Sequence, residues 1–176
     1  ERNTHMSQLL DNILSRSNML DAYNQVRANK GSAGIDGITI DEIDDYLRKH
    51  WRSTKELIKQ RKYKPQPVLR VEIPKPNGGV RQLGIPTVMD RMIQQAIVQV
   101  ISPICEPYFS EKSYGFRPNR SCEQAVIQLL EYLNDGYEWI VDIDLEKFFD
   151  TVPQDRLMSL VHNIIQDGDT ESLIRK

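Results

Sequence analysis

Cysteine is scarce in this sequence: Cys105 and Cys122 are the only two, with no CxxC pair and no histidine at ligand spacing. A disulfide framework and a cysteine-based zinc site are thereby excluded, and reduced thiols are expected. The chain has no run of roughly 18 or more apolar residues, the length a spanning helix requires. It has no leader with a basic start and apolar middle, no low-complexity tract and no internal repeat. Those absences leave a cytoplasmic protein with one ordinary core as the expectation. The opening ERNTHM, residues 1–6, reads as a vector-derived remnant or frayed end, and fold reasoning starts at residue 7. A large excess of either charge is also missing, since the formal net charge is −2.

That balance hides a strong segregation. From Arg48 to Arg81 there are eleven lysines and arginines against Glu56 and Glu72 alone. From Glu131 to Asp155 there are eight acidic residues against Lys147 alone. A basic and an acidic segment in one small protein suit a polyanion on the first and a metal ion on the second. A solvated basic helix face is the plainer alternative.

Along the chain, Leu9, Leu10, Ile13 and Leu14, then Leu20, Tyr23 and Val26, repeat at helical spacing, with a break near Ser15 to Ser17. A glycine-rich loop, KGSAGIDG, follows. Thr39 with Glu42 and Ser53 with Glu56 each read as a capping box opening a short helix, the first with Ile43, Tyr46, Leu47 and His50 on one face. His50 is read as a helix-face residue and not as a ligand. Pro65 and Pro67 stop helix formation, and VLRVEIP and RQLGIP flank the Asn77-Gly78 signal of a β-hairpin. Thr87 with Asp90 opens a long apolar helix that Pro103 is expected to end, and Ser121 with Gln124 caps another, closed by Gly136. EWIVDIDL has the pattern of a buried strand. Thr151 with Gln154 predicts a further helix running to Gly168.

Three segments can carry chemistry. Lys75 and Arg81 flank the hairpin turn and can clamp phosphates, although exposed hairpins also carry cations for solubility. In SYGFRPNRS, Arg117 and Arg120 lie among Tyr114 and Phe116, a mixture that binds backbone and stacks bases, or simply a well-packed connection. In the strand, Asp142 and Asp144 alternate with Val141, Ile143 and Leu145, so the carboxylate face must be wet, paired or holding a cation such as Mg²⁺.

VEIPKPNGGVRQLGIPTVMDRMIQQAI, FSEKSYGFRPNRSCEQAV and WIVDIDLEKFFDTVPQDRLM, in this order, resemble the successive reverse transcriptase motifs of bacterial group II intron-encoded proteins, which also act as splicing maturases. NKGSAGIDG resembles their N-terminal extension motif, and the likeness runs from about Leu9 to Arg175. It implies a helix-rich α/β (α+β) fold, with right-hand polymerase fingers carrying a β-hairpin over residues 7–136. The beginning of a truncated palm would occupy residues 137–176.

The resemblance further implies that Asp144 is the first catalytic aspartate, because Phe149, five residues on, matches the position that gates the nucleotide sugar. The Leu145 carbonyl would join Asp144 around Mg²⁺, and Lys75 and Arg81 would grip a deoxynucleotide triphosphate. The loop from Lys30 and Gly31 to Gly37 would cover template RNA or an incoming 3′ end. Arg61, Lys62, Lys64, Arg117 and Arg120 are the remaining candidates for nucleic-acid contact. Expected partners are intron RNA, an RNA template and a DNA primer. The family's Tyr-Ala-Asp-Asp box is absent, so the chain is expected to be a fragment that binds RNA without polymerising. A retroelement reverse transcriptase without splicing function and a purely RNA-binding splicing module are the alternatives.

Overall fold

In the computed structural model, residues 7–76 and 78–176 are described. Helices dominate, and the one sheet among the described residues is a two-stranded antiparallel hairpin. The first two helices are α1 (Gln8–Ile13) and α2 (Arg16–Ala28), capped by Ser7 and Ser15, whose hydroxyls accept from Leu10 and Asn18 N–H groups. They break where the sequence places the break. Helix α3 runs unbroken over Ile43–Lys59, so the two short helices expected there are one. Ser53 turns its hydroxyl back to the His50 carbonyl at 2.8 Å, a bond the helix interior tolerates. Thr39 does not cap α3; its N–H and hydroxyl both donate to the Glu42 carboxylate, at 3.0 and 2.7 Å. His50 lies against the Tyr46 ring, 4.4 Å between centroids, as a helix-face residue.

Strands β1 (Leu69–Pro74) and β2 (Val80–Ile85) pair from Leu69↔Ile85 to Pro74↔Val80, leaving the connection Lys75 to Gly79. The Lys75 N–H donates to the Gly79 carbonyl at 3.0 Å, and Gly78 and Gly79 take φ of +84° and +83°. Asn77, half of the predicted turn pair, lies outside the described residues. Helix α4 (Val88–Cys105) starts at the Thr87 cap and passes through Pro103 before ending. Proline removes only one ladder bond there, in the last turn, which explains why the helix does not stop where expected. A single 3₁₀ turn (Glu106–Tyr108) follows. Helix α5 (Cys122–Asn134) has the predicted Ser121–Gln124 capping box and the Gly136 stop, at φ +94°.

The core sits in the first half of the chain, where Leu10, Ile13, Leu14, Met19, Ala22, Val26, Ile43, Ile58, Val88, Met89, Met92, Ile93 and Ala96 are buried together. Helix α8 (Gly168–Ile174) returns to it with Leu173, and Asp169 accepts from the Ser7 N–H at 3.2 Å. Gly168 therefore opens α8 and does not close α7 (Gln154–Ile165), which ends at Gln166 in the left-handed region. Thr151 belongs to a separate short helix, α6 (Phe148–Thr151), and its hydroxyl bonds back to the Lys147 carbonyl, so it caps nothing.

EWIVDIDL is the largest departure. Residues 138–145 form no strand and are exposed throughout, Trp139 at 93% and Val141 at 83%. Alternation assigns each side chain a side, but a strand also needs a neighbour for its N–H and C=O groups. Among the described residues the only sheet is the hairpin, whose two strands pair with each other. Phe148 and Phe149 are likewise exposed, at 46% and 88%.

Candidate nucleic-acid interface

The start of α4 gathers three segments that the sequence singles out separately. Gly34 is one. A Cβ there would stand 2.7 Å from the Thr87 N and Cα, so the glycine loop lies backbone to backbone on the first turn of α4. Gly37 closes the loop at φ +71°, donating its N–H to the Gly34 carbonyl at 3.1 Å. Lys30, at φ +47°, is exposed at the loop's other end, beside Gly31.

The second segment follows α3. Lys62 and Lys64 are exposed, while Tyr63 between them turns inward and donates its hydroxyl to Asp90. Burial, then the bond to Asp90, pushes the Tyr63 hydroxyl well above the ordinary tyrosine range. Arg61 faces elsewhere: its Nε and Nη2 reach one Asp169 oxygen at 2.7 and 2.6 Å, tying α8 to this corner. Two of its guanidinium nitrogens are taken by Asp169, while the side chain stays 54% exposed.

The hairpin is the third. Its register places Leu69, Val71, Ile73, Arg81, Leu83 and Ile85 on one face, and Arg70, Glu72, Pro74, Val80 and Gln82 on the other. Arg81 lies opposite Ile73, at the tip end of the apolar face, and Lys75 begins the turn. Both are exposed, and among the described residues neither has an ion pair. A planar fork and a point charge on an exposed hairpin end can both meet a phosphate.

In SYGFRPNRS the arginines hold the loop. The Arg117 side chain is 8% exposed; it pairs with Glu106 at 2.7 Å, donates to the Ser113 carbonyl at 3.0 Å and lies over the Phe109 ring. Its position against Glu106 explains the fixed turn, and leaves little of the fork for a ligand. Arg120 donates to the Glu111 carbonyl at 3.1 Å and lies over Tyr114, while Phe116, at φ +56°, is fully exposed.

Asp142, Asp144, Leu145 and Phe149 stand on the exposed segment before and within α6. The Asp144 carboxylate and the Leu145 carbonyl are hard oxygen donors of the kind Mg²⁺ takes. Among the described residues, however, no three His, Cys, Asp or Glu side chains come together. Two donors cannot hold a pair of ions, so these residues fit part of a two-ion site and not the whole of one. No helix among the described residues is long and apolar enough to cross a membrane.

Sequence reasoning assigned Asp90 only a capping role and passed over Tyr63 and Arg91. The Thr87-x-x-Asp90 spacing was the available signal, since a cap carboxylate next to an arginine at an apolar helix start has bonds to spare beyond the cap.

A family model described as reverse transcriptase (RNA-dependent DNA polymerase) matches residues 73–175. The chain is 36% identical over 156 residues to the group II intron-encoded protein LtrA of Lactococcus lactis subsp. cremoris, covering 88% of this chain and 26% of that protein. It is 35% identical over 177 residues to the putative COX1/OXI3 intron 2 protein of Saccharomyces cerevisiae, covering 99% of this chain and 20% of that protein. With protein YkfC of Escherichia coli the identity is 33% over 177 residues, 97% of this chain and 46% of that one. The chain spans less than half the length of each of these relatives.

Proposed function

This chain belongs to the reverse transcriptase (RNA-dependent DNA polymerase) family, and from that premise we propose that it is the RNA-gripping part of a group II intron-encoded polymerase and maturase. Residues 7–136 act as fingers, and the palm begins near residue 137. The observation that carries the reading is the convergence on the start of α4: the glycine loop lies on Thr87, the Tyr63 segment is bonded to Asp90, and the hairpin grows from both. Lys30, Lys62 and Lys64 are exposed around that corner, and Lys75 and Arg81 at the far end of the hairpin; there RNA phosphates would be neutralised with release of counterions.

In the whole polymerase, Lys75 and Arg81 hold the triphosphate of the incoming deoxynucleotide and Phe149 lies beside its sugar. The primer 3′-hydroxyl attacks the α-phosphate, and pyrophosphate leaves. Asp144 and the Leu145 carbonyl would supply part of a Mg²⁺ shell whose other carboxylates lie outside this chain, and the ion's chemistry there is neutralisation of phosphate charge. By itself the chain binds RNA and does not polymerise. Arg117 holds its own loop, Arg61 ties α8 to the Tyr63 segment, and Arg120 makes fewer bonds to protein than Arg117 among the described residues.

Replacing Lys62 and Lys64 with alanine tests the binding reading, with single-stranded RNA titrated onto the purified chain. Weaker binding by about tenfold or more, at unchanged melting temperature, supports it. Unchanged affinity would remove the basic corner from the interface.

A further inference from the structure

Two neighbouring side chains in the first turn of α4 reach in different directions. Asp90 is 3% exposed, and its carboxylate accepts from the Tyr63 hydroxyl, from the Gln66 N–H at 3.2 Å and from the Thr87 hydroxyl at 2.7 Å. The segment it holds runs directly into β1 at Leu69. Arg91 reaches the other way. Its Nη2 donates to the Ser32 carbonyl at 2.8 Å, and its Nη1 fills the space a Gly31 side chain would need, 2.1 Å from where a Cβ would lie. Among the described residues the Arg91 Nε is buried with no protein partner.

The turn bearing both residues is a firm base, since Val88, Met89, Met92 and Ile93 around them are buried in the core. A displacement of Arg91 or Asp90 therefore moves a loop or the hairpin and leaves the helix in place. We propose that Asp90 and Arg91 form a positioning node, in which Asp90 sets the base of the hairpin, Arg91 sets the glycine loop, and their shared helical turn fixes the spacing of the two arms so that both close on one segment of nucleic acid. The ligand in that statement rests on the RNA-binding reading above, whereas the control of arm spacing does not.

The two parts are separable in one set of measurements on the 176-residue chain. With Cys105→Ser and Cys122→Ser as background, spin labels go on Ile35→Cys in the glycine loop and Val80→Cys in the hairpin, both about half exposed. The inter-label distance distribution is then compared for the parent, Arg91→Ala, Arg91→Lys and Asp90→Asn. Arg91→Ala is expected to broaden the distribution at unchanged melting temperature. It should also raise the Kd for single-stranded RNA about tenfold, as the fraction of molecules with the arms correctly spaced falls to about a tenth. Arg91→Lys keeps the charge without the fork, so it should broaden the distribution as well; a narrow distribution with Lys would reduce Arg91 to a charge and overturn its positioning role. Asp90→Asn should broaden it from the hairpin side, and should that variant unfold, the Arg91 pair decides alone. A narrow distribution in Arg91→Ala overturns the node. Broadening in Arg91→Ala together with no RNA binding by the parent supports the node and overturns the RNA reading.

Discussion

Replacing Gly34 with alanine should be far more costly than its size suggests. The added Cβ would meet the Thr87 N and Cα at 2.7 Å and the Pro86 carbonyl carbon at 2.9 Å, all of them backbone. No flexible side-chain end is there to yield, so either the glycine loop lifts or the first turn of α4 shifts. Forcing one extra carbon into a filled space costs about 1–3 kcal/mol, and the upper part of that range applies because the obstacle is main chain next to the buried Val88 and Met89. Two other glycines calibrate the measurement. Gly37→Ala has open space but a φ of +71°, so its cost of about 1–2 kcal/mol is conformational. Gly115→Ala has nothing within 4 Å and no such φ, so it should be neutral or stabilise by about 0.4–1 kcal/mol. Urea unfolding of the three variants, read at constant m-value, gives the differences. Gly34→Ala costing no more than Gly115→Ala would refute the close packing of the loop on α4.

Arg117→Ala should cost about 3 kcal/mol in the same assay, because it strands the half-buried Glu106 and frees the Ser110 and Ser113 carbonyls; a loss below about 0.5 kcal/mol would mean the pair is solvated. Tyr63→Phe should cost about 1–3 kcal/mol, since Asp90 loses one of its donors. The Tyr63 hydroxyl is raised above its ordinary value of 10.0, so its contribution is fully present below about pH 10 and is lost as pH rises beyond it. Tyr63→Phe should flatten that alkaline decline, as followed by circular dichroism, and an identical decline in both proteins would exclude Tyr63 as its source. In the complete polymerase, Phe149→Val should narrow the preference for deoxy- over ribonucleotides in kcat/KM, through relief of a clash. In this chain the same change should leave stability within about 0.5 kcal/mol, because Phe149 is 88% exposed. Unchanged sugar preference would detach Phe149, and with it Asp144, from the catalytic assignment.

Local signals served well where the deciding contacts are local. Ser121 and Gln124 close their capping box on each other, and the Gly136 stop needs only its own φ. The hairpin follows from alternation and a glycine turn, and the core of α1 and α4 from helical spacing; in α2 the expected Leu20 is 54% exposed and Met19, Ala22 and Val26 are the buried residues. Misreadings arose where one pattern permits two outcomes. Ser53 can cap a helix or bond back inside one, and the continuous apolar face of α3, through buried Ile43 and Ile58, decides for the second. Val141, Ile143 and Leu145 alternate as a strand should, but pairing is a long-range property that alternation does not encode. The candidate interface was legible as charge and as motif. Its assembly was not, because the bonds from Asp90 to Tyr63 and from Arg91 to Ser32 join residues 27 and 59 positions apart. The inward turn of Arg117 likewise depends on Glu106, eleven residues back in another element.

The central claim, that this chain grips RNA through its exposed cations, is tested most directly by the salt dependence of its affinity for single-stranded RNA in the absence of Mg²⁺. With Lys30, Lys62, Lys64, Lys75 and Arg81 each neutralising a phosphate, the slope of log K against log salt should be about −3 to −4, roughly a hundredfold loss between 50 and 200 mM. A flat dependence, or binding that appears only when Mg²⁺ is added, would contradict the account and leave the basic corner as a solvated surface.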